Sequence, residues 1–320
     1  MAIVSAGSDG KLSTGNRPSV YDVMELVGHD ETPILSILER IKALGVTHSW
    51  IVDSIGDINV GYFNEISAPA AAAGNTKQET ANAVQIFKTT AALSFDQNAS
   101  SVYGGTSEAA WQKKKAAKQH LLKQEGAILG VGRNTPFDPP AFRMGNSSEG
   151  KMAGLPYYIA LSQTAFVNRR KGNIFTADSE GDATGSDAPI TLNLLDEFAA
   201  IPYENKARMT DIFVGVKLKR KINALFSRQL NNEDAAQTTV SAVELTTGRV
   251  KIHLHPYMSE AYGLDNAVIG GDFSFAKWAV LEEINRTLPT SDSAEMWEFY
   301  ASASLQVTNA AAFAMLIGVS

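Results

Sequence analysis

Chemistry needs particular residue types at particular spacings, and three groups in this chain come close. His253-Leu254-His255 would place two imidazoles on one face of a strand, the beginning of a metal site. Two histidines without a third ligand and its supporting shell do not complete one, so no metal is expected there. Asp178, Glu180 and Asp182 alternate within the Gly-rich stretch 176–189, as acidic ligands of a cation loop would. The closing bidentate glutamate of a twelve-residue calcium loop is missing, and a solvated linker is the expectation. Lys113, Lys114, Lys115, Lys118 and Lys123 share one face of a helical segment. They could bind nucleic acid, but in an acidic chain they read as a solvated helix face.

Nothing else gathers into a site. There is no Walker phosphate loop, no G-x-G-x-x-G after a strand, no H-E-x-x-H and no G-x-S-x-G. The remaining histidines, His29, His48 and His120, are dispersed, and Asp265, Asp272, Glu282 and Glu283 read as surface groups. No nucleophile, base or oxyanion donor is singled out. The sequence therefore assigns no catalytic residue, no cofactor-binding residue, no metal ligand and no cofactor, and the chain is not expected to be an enzyme.

Composition agrees. The chain has 320 residues, with 28 Lys+Arg against 34 Asp+Glu, a formal charge of −6, and no cysteine. The zero excludes disulfides, thiolate metal sites and a cysteine nucleophile. The acidity argues against a dedicated nucleic-acid binder. No window of 18 apolar residues is available for a membrane helix, and the start of the chain does not read as a signal peptide.

The elements that would have to position any site are unusual. Residues 1–20 are polar and rich in Gly, Ser and Asn, and read as an arm. A helix is expected over 33–44, with Thr32 as N-cap, Pro33 in the first turn and Ile34, Leu35, Ile37, Leu38, Ile41 and Leu44 on its buried face. A strand over 46–53 and a second over 84–95 bracket a stretch with little to bury, and read as a long β-hairpin that cannot be stable alone. The longest helix is expected from Thr106 or Ser107 to about Leu129, with a narrow stripe of Ala110, Ala117, Leu121, Leu122, Ile128 and Leu129. Residues 130–155 read as loop. From Ile190 onward the pattern becomes mixed α/β, with helices over 190–201 and 217–230, a strand over 212–216 and a hairpin around Thr246-Thr247-Gly248-Arg249. The stretch 295–317 is strand-rich and apolar. An arm, an unsupported hairpin and a one-sided helix are parts that contacts between identical copies would satisfy.

The order of these parts resembles the major capsid proteins of tailed bacteriophages, with their Hong Kong 97-type fold. The resemblance rests on Glu31-Thr32-Pro33-Ile34-Leu35-Ser36 before a strand bearing Trp50, and on Asn82-Ala83-Val84-Gln85-Ile86 before the long helix. It continues with Gly154-Leu155, Tyr257-Met258-Ser259, Tyr262-Gly263 and Thr290-Ser291-Asp292-Ser293. Ser304-Leu305-Gln306-Val307-Thr308-Asn309-Ala310-Ala311-Ala312 closes the series. The match spans most of 20–320.

The resemblance implies an α+β fold of the Hong Kong 97-like capsid type. It assigns 1–32 to an N-terminal arm, 33–45 to an N-terminal helix and 46–95 to the E-loop, a hairpin lying over a neighbouring subunit. It assigns 96–199 to the P-domain with a spine helix at 106–130, 200–285 to an α/β A-domain, and 286–320 to strands returning to the P-domain. The implied function is self-assembly, as hexamers and pentamers, into an icosahedral head shell enclosing double-stranded DNA without sequence-specific binding. Cement or decoration, scaffolding and portal proteins are the further partners implied, with no membrane. The implied location is the virion, after assembly in the bacterial host cytoplasm. Some members weld subunits through a Lys–Asn isopeptide bond; Lys77 and Asn75 sit at the expected hairpin tip, but no motif for that bond is matched. An encapsulin-like compartment shell and a soluble α/β enzyme are the alternatives.

Overall fold

The computed structural model describes residues 32–53, 65, 77–99, 107–143, 149–161, 170–171, 173–176, 189–227, 240–288 and 293–319. In chain order these form α1 (Pro33–Ile37), β1 (Glu39–Lys42), β2 (Thr47–Val52), β3 (Gln78–Ala83), β4 (Gln85–Ser94), α2 (Phe95–Ala99), α3 (Glu108–Ile128) and α4 (Leu155–Ala160). Then follow β5 (Arg170–Lys171), β6 (Ile174–Thr176), α5 (Leu192–Glu204), β7 (Asp211–Val214), α6 (Val216–Ser227), β8 (Ala242–Leu245), β9 (Gly248–Leu254), β10 (Val268–Gly271), β11 (Ala276–Leu288), β12 (Ala294–Val307) and β13 (Phe313–Ile317).

Two larger sheets organise the molecule. One has the order β1-β11-β12-β4, the other β5-β6-β13-β10-β7-β9-β8. The central strands β7, β10 and β13 of the seven-stranded sheet are buried on both faces, which is why they read as continuous hydrophobic runs. Ile212, Val214, Val268, Ala314 and Leu316 face α5 and α6 in one core. Their alternate neighbours Phe213, Ile269, Phe313 and Met315 join Ile34, Ile128, Leu155 and Trp278 in the other. The period of two thus divides a single sheet between two cores.

The spine helix is where the sequence placed it, but its buried row differs. Ala116, His120, Gln124 and Ile128, four apart, are buried together with Glu125, whereas Ala110 is exposed and Leu121 and Leu122 are half-buried. Helical spacing fixed the length; packing against β4 and β12 selected a polar-containing face. Ser107 occupies the N-cap position without a side-chain cap bond. The C-terminus closes with Val131 N–H donating to Gly126 O at 2.9 Å and Gly130 N–H to Ala127 O at 3.1 Å. Gly130 has φ +75°, the left-handed residue this double closure requires. At Gly154 the constraint is space. A Cβ there would lie 2.7 Å from Gly130 N and 2.8 Å from Ile128 O, so α4 approaches the end of α3 over glycine.

Three expectations are corrected. The helix expected over 33–45 stops at Ile37, and Glu39–Lys42 instead pairs in parallel with Lys277–Val280 of β11. An available sheet edge overrides a helical pattern, and Leu44, assigned to a buried face, is 92% exposed. The hairpin partner of β2 is β3, not the strand expected over 84–95; that strand, β4, pairs with β12. Between them Asn82, Ala83 and Val84 are buried in succession, breaking the alternation where the chain passes from hairpin to sheet. The boundary drawn at 285/286 falls inside β11, and the last strand, β13, lies within the seven-stranded sheet beside β10. The described residues of 130–155 remain largely irregular, residues 144–148 lie outside the described residues, and α4 begins at Leu155.

Candidate assembly surface

The paired strands β2 and β3 present one face to the body and the other outward. His48, Trp50 and Val52 alternate with the exposed Thr47, Ser49 and Ile51. His48 Nε2 meets Gln306 Oε1 at 2.8 Å, and the Trp50 ring lies 6.0 Å from that of Tyr158. On the outer side Ile51 is 69% exposed, and in the turn before β2 Val46 is 56% exposed. Large apolar side chains left in water on the outer face of this hairpin are the kind of surface that a partner covers.

Asn82 fastens this hairpin. Its amide Nδ2 donates to Ala153 O at 3.2 Å and Leu305 O at 2.8 Å. Its Oδ1 accepts from Ala153 N–H at 2.8 Å and from Ala83 N–H at 2.9 Å. Both donors and both lone pairs of a fully buried amide are satisfied. Ser304 Oγ donates to Ala83 O at 3.0 Å, and Gln85 Oε1 accepts from Met152 N–H at 3.1 Å. The Asn82-to-Ile86 segment is therefore a connector between the hairpin, β12 and the approach to α4.

A second buried junction centres on Glu125 of α3. Its two oxygens accept from Ile34 N–H and Leu35 N–H, each at 2.8 Å, and Oε1 also meets His255 Nε2 at 2.8 Å. Thr32 provides no side-chain cap to α1, so the cap comes instead from a carboxylate on the spine helix. One side chain thereby joins α1, α3 and the end of β9.

The residues singled out from sequence are dispersed. His253 Nε2 pairs with Asp211 Oδ1 at 2.8 Å, and its ring stacks on Phe213 at 5.1 Å. His255 packs edge-on to the same ring at 6.1 Å, so the two imidazoles do share a side, but each has its own carboxylate. No group of three metal-ligating side chains occurs among the described residues. Asp178, Glu180 and Asp182 lie outside the described residues, as do Asn75 and His29; Lys77 is exposed. Asp265 pairs with Lys217 at 3.1 Å, Glu283 with Arg40 at 3.4 Å, and Asp272 accepts from Ser274 N–H. Of the spine lysines, Lys113 lies 4.3 Å from the Trp297 ring centroid, and Lys123 donates to Lys88 O at 2.8 Å and Thr89 Oγ1 at 3.0 Å. Those two tie the helix to its own sheet. Asn82 was read only as part of a motif and Glu125 not at all. The available signal was a run of polar residues, His120, Gln124 and Glu125, falling on the helix side that ends in Ile128.

His120 gives this packing a pH dependence. Its Nδ1 lies 3.3 Å from Thr89 Oγ1 on β4, and its ring is 6.3 Å from Phe299 on β12. Burial lowers its pKa from 6.5; Glu283 on β11 opposes that shift and Lys123 on α3 adds to it. The folded chain therefore holds its proton less readily than the unfolded one. Stability is full above pH 6.5 and falls as pH drops toward the lowered folded value. His120→Gln is expected to reduce the stability difference between about pH 7.5 and about pH 5, read as denaturant midpoints. An equal difference in the variant would assign the acid sensitivity elsewhere.

A family model described as SU10 major capsid protein matches residues 7–320. No curated protein matches. Among solved structures, the capsid of a native GTA particle, computed with C5 symmetry, aligns over 100% of both chains at TM-score 0.66 and 13% identity. A structure from Microbacterium phage Oxtober96 covers 94% of this chain and 96% of its own at TM-score 0.59 and 14% identity. The holo-SrpI encapsulin complex from Synechococcus elongatus covers 95% and 93% at TM-score 0.56 and 12% identity. At these identities the likeness is one of fold, and the fold is the α+β capsid type, Hong Kong 97-like, that the sequence implied.

Proposed function

The chain belongs to the SU10 major capsid protein family, whose members build shells and are not enzymes, and from that premise we propose how its copies form a phage head. Five- and sixfold rings of the chain close into an icosahedral container for double-stranded DNA, assembled in the bacterial cytoplasm. Residues 46–83, which carry the paired strands β2 and β3, act as the E-loop laid over a neighbour, and 1–32 as an arm tying to another copy. The region 96–199 acts as the P-domain, and β7 to β10 with α6 form most of an A-domain, within the span 200–285. Portal, scaffolding and cement proteins are the further partners.

The observation that carries this reading is the family match over residues 7–320. The physics supports it. Ile51 and Val46 need cover, several modest contacts per subunit add by multivalency, and a net charge of −6 keeps the wall from trapping the genome by phosphate binding. Electron microscopy of the purified chain, and of native particles, is expected to show closed shells. Small oligomers that persist across salt conditions would overturn the reading. Shells filled with protein cargo rather than DNA would favour the compartment alternative, to which the encapsulin likeness points.

The role of the hairpin has its own test. Replacing residues 54–76 by a short Gly/Ser linker leaves β2, β3 and Asn82 intact. The variant is expected to fold yet form no stable shells. A cut reaching Asn82 would confuse this result, because it would damage the subunit itself. Full-sized particles of normal stability from the 54–76 variant would remove the hairpin from the assembly mechanism.

A further inference from the structure

The lysines of α3 divide into two sets. Lys113 lies over the Trp297 ring, and Lys123 donates to Lys88 O and Thr89 Oγ1, so both serve the helix's own sheet. Lys114, Lys115 and Lys118 point elsewhere. At about 100° per residue they fall on the side opposite Ala116, His120 and Gln124, which are buried against β4 and β12. Trp111 shares that side, with Lys114 Nζ 5.9 Å from its ring centroid. Lys114 and Lys115 are exposed and Lys118 is half-buried. Farther along the same side α1 takes over, seated on Glu125. The basic strip therefore occupies only the first turns, from 111 to 118, about 10 Å of helix.

The strip carries one sign of charge. A solvated helix face usually interleaves acids and bases, because like charges three or four residues apart repel. Here Lys114 and Lys118 are four apart and Lys115 and Lys118 three apart. The two glutamates of α3 do not relieve them. Glu125 is buried beneath α1, and Glu108 accepts from Gln112 Nε2 at 2.7 Å at the start of the helix. In a chain of net charge −6, positive charge has been gathered on one short surface at a cost in self-repulsion. A polyanion laid along it removes that cost.

We propose that the Lys114–Lys115–Lys118 strip is where each subunit touches the enclosed duplex, by its phosphates and without reading bases. This deepens the shell reading and rests on it, and it sets the strip on the inner wall. Up to three phosphate contacts per copy are weak and salt-labile alone, and they add over the many copies of a shell. Such contacts lay the duplex against the wall without trapping it, which agrees with a chain that is acidic overall.

The test is binding of a fluorescent duplex of about 30 base pairs by the full-length subunit, held below its assembly threshold. The triple variant Lys114→Gln, Lys115→Gln, Lys118→Gln keeps helix propensity and is expected to melt as wild type does. It is expected to bind roughly tenfold more weakly near 0.1 M salt, and its slope of log affinity against log salt should be shallower by about 2–3. Arginine at the same three positions should retain both affinity and slope. Arg220→Gln with Lys221→Gln, on the other basic helix, α6, should leave the slope as it is. Closed wild-type shells, offered plasmid DNA too large to enter, should bind it no better than triple-variant shells do. An unchanged slope in the glutamine triple, or an equal loss from the α6 pair, would overturn the proposal with the shell reading intact. Strip-dependent capture of plasmid by closed shells would put the strip outside and overturn it as well. Binding of poly-glutamate with no binding of duplex would overturn it in favour of an acidic protein segment. A wild type that never assembles would overturn the shell reading, and this inference with it.

Discussion

Glu125→Ala is expected to lower the stability of the subunit by about 3–5 kcal/mol, the cost of stranding several buried hydrogen-bonding groups by removing the partner they share. The substitution strands Ile34 N–H, Leu35 N–H and His255 Nε2 together, all in a region closed to water. It also opens space inside a core that contains Ile34 and Ile128. Glu125→Gln separates shape from chemistry. With its oxygen at the Oε1 position it can keep two of the three bonds, but its NH₂ then faces the Leu35 N–H, so an intermediate loss is expected. His255→Ala should cost less in the Glu125→Ala background than alone, because its partner is already gone. Denaturant midpoints with an unchanged slope measure all three effects. A loss under about 1 kcal/mol for Glu125→Ala would mean that water or another side chain replaces the carboxylate.

Asn82→Leu is expected to cost about 2–4 kcal/mol, because it leaves the polar atoms of Ala153 and the Leu305 carbonyl buried without partners. Leucine retains the volume, so the loss reports hydrogen bonding more than cavity formation. The effect should be local. Amide exchange is expected to accelerate across Thr47–Val52 and Gln78–Ala83, where the two-stranded sheet depends on this anchor. The seven-stranded sheet, whose two faces are buried in separate cores, should keep its protection. Asn82→Asp should be as damaging despite its similar shape, since a carboxylate would point at two carbonyl oxygens. Uniform acceleration throughout the chain would show that Asn82 supports the whole subunit and not the hairpin. If the hairpin is the arm of assembly, both Asn82 variants should also assemble poorly at temperatures where the body remains folded.

These junctions mark where reading the sequence stopped. The spine helix was legible because twenty-one residues with no proline and a single glycine, Gly126, in the last turn, ended by Leu129-Gly130, satisfy backbone rules that act within a few residues. The hairpin at Thr246-Thr247 was legible for the same reason. The helix at 33–45 was not. Ile34 to Leu44 carries a helical spacing, yet the choice between helix and strand at Glu39–Lys42 belonged to β11, more than 230 residues away. The hairpin partner of β2 was misread similarly. Val84–Phe95 is the better strand by composition, and β12 takes it because its alternate residues Phe87, Thr89 and Leu93 are buried in a sheet packed against α3.

The sequence by itself determined the class of molecule. The order and spacing of its local signatures, from Glu31-Thr32-Pro33 to Ser304–Ala312, carried the resemblance to tailed-phage capsid proteins, and short-range pattern needs no coordinates. Tertiary structure alone decided which polar residues hold the parts together. Glu125 with His255, and Asn82 with Ala153 and Leu305, are 130, 71 and 223 residues apart in the chain. Hydrogen bonds at such separations depend on where whole elements come to rest, and no periodicity along the chain encodes that.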